Sequence, residues 1–238
     1  MISPTDSMTL VYVPAGEFPM GSDDGGSVEK PVHTVLLDAF WIDQTEVTNA
    51  MYANCVQEGV CKEPSDTTYY SDLDYASHPA VYVSWEDASN YCSWADRRLP
   101  TEAEWEKAAS WDEENQTKNV YPWGDGIDCS FANYPDGNKY CVGTTTAVGS
   151  YPSSASPYGA LDMAGNVWEW VNDWYQSDYY ATLGDSASNP QGPLNSDYRV
   201  LRGGTWSNAG NSVRSAYRYG YYPSLTSSSV GFRCSRSP

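Results

Sequence analysis

The apolar positions of this chain are patterned in its first half and nearly unpatterned in its second. LVYVPAGEFPMGS and HTVLLDAFWIDQTEVT gather β-branched and aromatic residues on either side of the turn-rich DDGGSVEKP, which predicts two partly buried strands. From Thr48, apolar residues fall at Met51, Tyr52, Cys55 and Val56, one face of a helix that Thr48 would cap and Gly59 would stop. Ser84 opens a second helix. Asp87, three residues on, can return a hydrogen bond to the cap, and Ala88, Tyr91, Cys92 and Ala95 share a face. TEAEWEKAAS, after Pro100, repeats the arrangement with Thr101 and Glu104 and predicts a third short helix. Beyond Trp111 the chain reads as loops rich in Gly, Pro, Asn and Tyr, with strand candidates only at GNVWEWVNDW, YRVLRGGTW and VGFRC. WSNAGNSVRSAYRYGYYPSLTSSS, Trp206 to Ser229, shows no period of either kind.

Charge adds an asymmetry to that pattern. The 238 residues carry a formal net charge of −18, which argues against nucleic acid or an anionic membrane as partner because both would repel such a surface. All 31 acidic residues precede Arg199, whereas Arg199, Arg202, Arg214, Arg218, Arg233 and Arg236 follow with no Asp or Glu between them. Most of these arginines are expected to pair with carboxylates of the acidic body. Length and even composition suggest a single domain over residues 1–238, and a monomer is expected. No apolar run approaches the ~18 residues of a membrane span.

Six cysteines suit three disulfides, with connectivity open on spacing alone. Zinc is disfavoured, since there is no CxxC pair and the only histidines are His33 and His78. Oxidised pairs imply an extracellular, cell-surface or periplasmic protein, or a cytosolic one from a thermophile. MISPTDSMTLVYVPAGEF lacks a basic start followed by an apolar block and reads as no signal peptide.

Candidate chemistry is sparse. Nucleophilic catalysis needs a base, and neither His33, inside an apolar run, nor His78, beside Pro79, is placed for it. Asp162, Asn166 and Glu169 bring oxygen-bearing side chains together around Gly165, a combination of hard donors that suits calcium, although a solvated turn has the same spacing.

Taken in order, VPAGEFPMGS, DQTEVTNAMYANC, PAVYVSWEDASNYCSWADRRLPTEAEWEKAA, YPWGD, SPYGALDMAGNVWEWVNDWY, RVLRGGTW and GFRC resemble the formylglycine-generating enzyme (sulfatase-modifying factor) family from about Leu10 to Cys234. The resemblance implies an α+β, C-type-lectin-like fold, loop-rich and poor in regular secondary structure, with its termini close together. It implies a Cys92–Cys234 bridge, which leaves the local pairs Cys55–Cys61 and Cys129–Cys141. It also implies structural calcium on Asp162, the carbonyls of Gly165 and Val167, and Glu169. A second family calcium site would begin at Asn133 and Tyr134, but its later ligands fall at the shortened loop CVGTTT.

The family oxidises a target cysteine with copper held between two thiolates just beyond the position of GGTW. Asn208 stands near the first of these, and no cysteine lies between Cys141 and Cys234. The expectation is therefore that no copper is bound, that no catalytic residues are present and that the chain is not an enzyme. Of the 23 residues 207–229, seven are Ser, four Tyr, two Gly and two Asn, the composition of a contact surface. Some members of this family are variable proteins of diversity-generating retroelements, whose rewritten segment runs from just after GG-Ser-Trp to about GFR. By that resemblance Ser207, Asn208, Asn211, Ser212, Tyr217, Tyr219, Tyr221, Tyr222, Leu225, Ser227 and Ser228 form a variable surface for a protein or other macromolecular ligand. A binding or regulatory module of a larger protein, such as a kinase fusion, is the alternative, and a formylglycine-type oxidase using other residues a further one.

Overall fold

The structure is a computed structural model describing residues 1–238. Each of the two N-terminal strand candidates is split, giving β1 (Leu10–Val13), β2 (Gly16–Met20), β3 (His33–Leu37) and β4 (Phe40–Asp43). Pro14 has no N–H for a ladder, and the N–H of Asp38 donates to Asn189 Oδ1 at 3.0 Å, so both strands stop where pairing fails. The halves then part: β1 pairs antiparallel with β4, and β2 with β3.

The three helices form as their caps predict: α1 (Asn49–Gln57), α2 (Trp85–Trp94) and α3 (Glu102–Ser110). Thr48 Oγ1 accepts from Met51 N, and Ser84 with Asp87 and Thr101 with Glu104 close reciprocal capping boxes. Two small hairpins follow, β5 (Trp111–Asp112) with β6 (Thr117–Lys118) and β7 (Pro135–Asp136) with β8 (Lys139–Tyr140). The remaining elements are β9 (Trp168–Trp174), α4 (Tyr179–Thr182), β10 (Ser186–Ser188), β11 (Arg199–Arg202), β12 (Arg218–Tyr221), β13 (Val230–Phe232) and β14 (Ser235–Arg236).

The central sheet runs β12-β11-β9-β13, antiparallel except for β13, which lies parallel to β9. β14 pairs with β4 on the side away from β1, so the first and last strands flank the same neighbour. This is the loop-rich α+β, C-type-lectin-like architecture that the motifs imply. On one side of the central sheet α1 and α2 pack with Trp170 and Phe232; on the other, Trp105 of α3 packs with Val35, Phe40 and Val171. The disulfides are Cys55–Cys61, Cys92–Cys234 and Cys129–Cys141. They fit an oxidising compartment. No helix is long and apolar enough to cross a membrane.

Two features depart from the sequence reading. All nine residues of α3 are buried, including Glu102, Glu104, Glu106 and Lys107. The segment expected to lack regular structure contains β12, whose Arg218 is buried while its neighbour Tyr219 is exposed. A period of two was present there, but its one large inward side chain is Arg218, between the small Ala216 and Gly220, so no hydrophobic pattern marked it.

Candidate functional site

The arginines that follow Arg199 fix the C-terminal segment to α3 and to the acidic body. Arg218 donates through Nε and Nη2 to the two oxygens of Glu102, each at 2.7 Å, between the rings of Tyr175 and Tyr180. Arg202 pairs with Glu106 and donates to the carbonyls of Ser215, Ala216 and Tyr217 at 2.8–3.0 Å, so the backbone before β12 is held from inside. Arg214 forms a two-pronged pair with buried Glu29 at 2.7 and 2.8 Å. Burial opposes every one of these charges, and the facing carboxylates more than offset it, raising the guanidinium pKa values of Arg202 and Arg218. Arg199 differs: it has no carboxylate partner and lies between the rings of Trp85 and Trp174, 3.7 and 3.5 Å from their centroids. Burial pushes its pKa down to about 10.

With the arginines turned inward, the tyrosines face out. Tyr217, Tyr219 and Tyr221 meet Trp168 around a cavity of about 330 Å³. The Trp168 ring lies 6.0 Å from Tyr217 and 6.0 Å from Tyr219, and Tyr219 lies 6.1 Å from Tyr221. Asn208 and Ser227 complete the rim. No charged side chain lines this space.

The structure thus brings together five of the eleven surface residues expected from the sequence: Asn208, Tyr217, Tyr219, Tyr221 and Ser227. Tyr222 lies apart, exposed, its hydroxyl 3.1 Å from that of Tyr198. Asn211 and Ser212 occupy a 3-10 turn, and Ser207 borders a separate depression beside Tyr140. Leu225 and Ser228 are half-buried outside the cavity. Sequence reasoning missed Trp168, Leu201, Ser229 and Val230, which also line it. The alternation of Trp168 and Trp170 about Glu169 was the available signal, since it sends both indoles to one face of β9.

The turn before β9 collects a different chemistry. Asp162, Gly165 and Asn166 all adopt positive φ, and a Cβ at Gly165 would meet the Asn133 carbonyl at 2.4 Å, so glycine is required there. Asp162 Oδ2 accepts from Gly149 N at 2.6 Å, but its Oδ1 is buried without a partner. Glu46, unnamed in the sequence reading, accepts from Asn166 Nδ2 at 3.0 Å, and its Oε2 is likewise buried and unpartnered. Desolvation, then the facing Asp162 charge, pushes the Glu46 carboxyl up, and desolvation pushes up Asp162. The carbonyls of Gly165 and Val167 accept no backbone hydrogen bond.

Two carboxylate oxygens and two carbonyls without donors fit a hard divalent cation such as calcium. No three acidic, His or Cys side chains converge as a ligand set, so carbonyls would be needed. Glu169, whose charge also acts on Glu46 and Asp162, engages Arg233 through both oxygens at 2.7 Å and Trp105 Nε1 at 2.8 Å. Every cysteine is in a disulfide.

Comparison with known proteins places this geometry in context. A family model, the sulfatase-modifying factor enzyme 1-like domain, matches residues 3–238. A serine/threonine-protein kinase, pkn1, of Chlamydia caviae is 39% identical over 246 residues, which cover 95% of this chain and 38% of that protein. The chain therefore spans about two-fifths of the length of that relative. The formylglycine-generating enzyme of Streptomyces coelicolor is 32% identical, covering 97% of this chain and 90% of that one. Treponema denticola variable protein 1 superposes with a TM-score of 0.76 at 25% identity, covering 97% of this chain and 95% of that chain.

The second of these corrects one expectation. The chain was expected not to be an enzyme because the thiolate pair is missing. Likeness to a named enzyme runs over nearly its whole length, so the missing cysteines do not establish that catalysis is lost.

Proposed function

The chain belongs to the sulfatase-modifying factor family, and on that scaffold, we propose, residues 207–229 present a ligand-binding face of the kind a variable protein carries. The observation that carries the reading is the division of β12 and its approach into inward arginines and outward tyrosines. Arg202, Arg214 and Arg218 anchor the backbone, so the side chains around the aromatic cavity can be exchanged without dissolving the support. Tyrosine gives wide contact at small entropic cost, and Ser and Asn adapt their hydrogen bonds. The test is a panel of peptides, glycans and small ions presented to the chain and to a Tyr217→Ala/Tyr219→Ala/Tyr221→Ala variant of matched thermal stability. A ligand lost in the variant supports the reading, and identical profiles overturn it. Diversification is tested separately: the neighbouring DNA should hold an adenine-rich near-copy of codons 207–229 beside a reverse transcriptase.

A second reading has its own observation. Relatives named serine/threonine kinase match this chain over 38% of their length, so the face would then act as a recognition module of a longer protein. In either setting calcium would be held by Asp162, the carbonyls of Gly165 and Val167, and Glu46, supplying a structural cross-link between the β4–α1 connection and the turn before β9.

A further inference from the structure

We propose that the aromatic cavity takes an alkylammonium group, the head of a lysine side chain on a partner protein; this names the ligand class of the face proposed above and rests on that reading. Three observations converge. First, Trp168, Tyr217, Tyr219 and Tyr221 surround the space with rings whose centroids lie 6.0–6.1 Å from their neighbours. Aromatic faces carry negative quadrupole density and attract a cation held over them, the more strongly where water is excluded. Second, the walls carry no positive charge to oppose it. The nearby Arg202, Arg214 and Arg218 are turned inward onto Glu106, Glu29 and Glu102, and the whole chain is at −18.

Third, one wall residue carries an acceptor without a donor. Asn208 lines the cavity, and its Oδ1, closed to solvent and without a hydrogen-bond partner, can meet a ligand once the amide turns, whereas Ser227 and Ser229 share a hydrogen bond at 3.0 Å. A shielded acceptor without a donor is costly unless a ligand completes it. An ammonium supplies the N–H for Asn208 and the charge for the rings, and its alkyl stem can lie against the tyrosine rings toward the mouth. An anion finds no positive side chain to hold it, only the hydroxyls of the tyrosines and serines. A neutral sugar could stack on the rings and bond to those hydroxyls but would bring them no charge, and methyl glucoside tests it.

The experiment titrates the intact chain, following tryptophan fluorescence, with Nα-acetyl-lysine methylamide, its Nε-acetylated form, tetramethylammonium and methyl glucoside. The free lysine derivative should bind at least tenfold more tightly than the acetylated one, tetramethylammonium should compete, and affinity should fall as salt is added. Asn208→Ala should weaken the lysine derivative about tenfold while leaving tetramethylammonium, which has no N–H, nearly unchanged. Tyr219→Ala, at an exposed position, should weaken both. Equal binding of the acetylated form, preference for the glucoside, or no binding of either cation at millimolar concentration would overturn the proposal. Should the panel above yield a Tyr219-dependent ligand without an ammonium, the ligand class is wrong and the binding face stands; should no ligand depend on Tyr217, Tyr219 and Tyr221, both fall.

Discussion

Helix α3 and the segment 207–229 are both polar in sequence, yet the helix is wholly buried while the segment divides between inside and outside. EAEWEKAAS carries three glutamates and a lysine and would ordinarily leave a solvated face. Instead Glu102 and Glu106 meet Arg218 and Arg202, and Lys107 donates to the carbonyls of Pro14 and Gly16 at 2.8 and 3.1 Å. Of these arginines Arg218 belongs to the segment, with tyrosines on either side of it, and Arg202 to the neighbouring β11. Burial of a charge is thus decided by whether a partner about a hundred residues away can reach it, and not by the local pattern.

The sharpest way to break the comparison is to remove one side of the clamp. Arg218→Met should leave Glu102 buried with only Arg202, 3.7 Å away, facing its charge, a loss of about 3 kcal/mol in urea unfolding. The double change with Glu102→Leu should recover most of it, since an apolar pair of similar volume can replace a buried ion pair. A single variant as stable as the parent would show that the clamp holds nothing.

Acid should act on the same interface. Burial alone would raise the Glu106 carboxyl, but Lys118 and Arg202 pull it down to about 2 from the ordinary 4.5. A group that binds its proton less tightly when folded stabilises the fold above about 4.5 and loses that contribution as pH falls toward 2. The difference is on the order of 3 kcal/mol. Glu106→Gln should flatten the acid limb of the stability profile, and an unchanged slope would place the acid sensitivity elsewhere.

Calcium sharpens the contrast at the turn before β9. Chelation should lower the melting temperature, by the equivalent of about 2.7 kcal/mol if the free ion had stood at a hundred times its dissociation constant. The shift should vanish in Asp162→Asn/Glu46→Gln, and a shift that survives there would remove both from the ligand set. The smallest effect belongs to the outward face. Tyr219→Ala should change stability by less than about 0.5 kcal/mol, because a residue 46% exposed is not held by the core.

Much of this fold was legible in the sequence where the signal was local. The caps at Thr48, Ser84 and Thr101 place three helices, since each hydroxyl and the backbone N–H that donates to it lie within one turn. The family motifs carried the topology and the disulfide pairs. What escaped depended on distant partners. The Asp38 N–H is taken by Asn189, which ends β3 from the far side of the chain, and the inward face of β12 holds Arg218 and Gly220, which no hydrophobic pattern detects. The site was half legible for the same reason. Composition singled out the tyrosines, but Trp168 and Leu201 reach the cavity from β9 and β11, and Glu46 reaches Asp162 from more than a hundred residues earlier.

The closing strands have a bearing on how such a chain would be policed. Arg233, Cys234 and β14 come after the segment 207–229, and they supply the Glu169 pair, the bridge to Cys92 and the partner of β4. A frameshift or stop anywhere in that segment deletes all three together. The truncated product would keep Glu169 and Asp43 buried with only Trp105 and Arg97 as partners, would lose the bridge to Cys92 and would not hold its fold, becoming a substrate for proteases. An architecture that places its locks downstream of the segment 207–229 lets only versions read in frame through Cys234 and β14 survive.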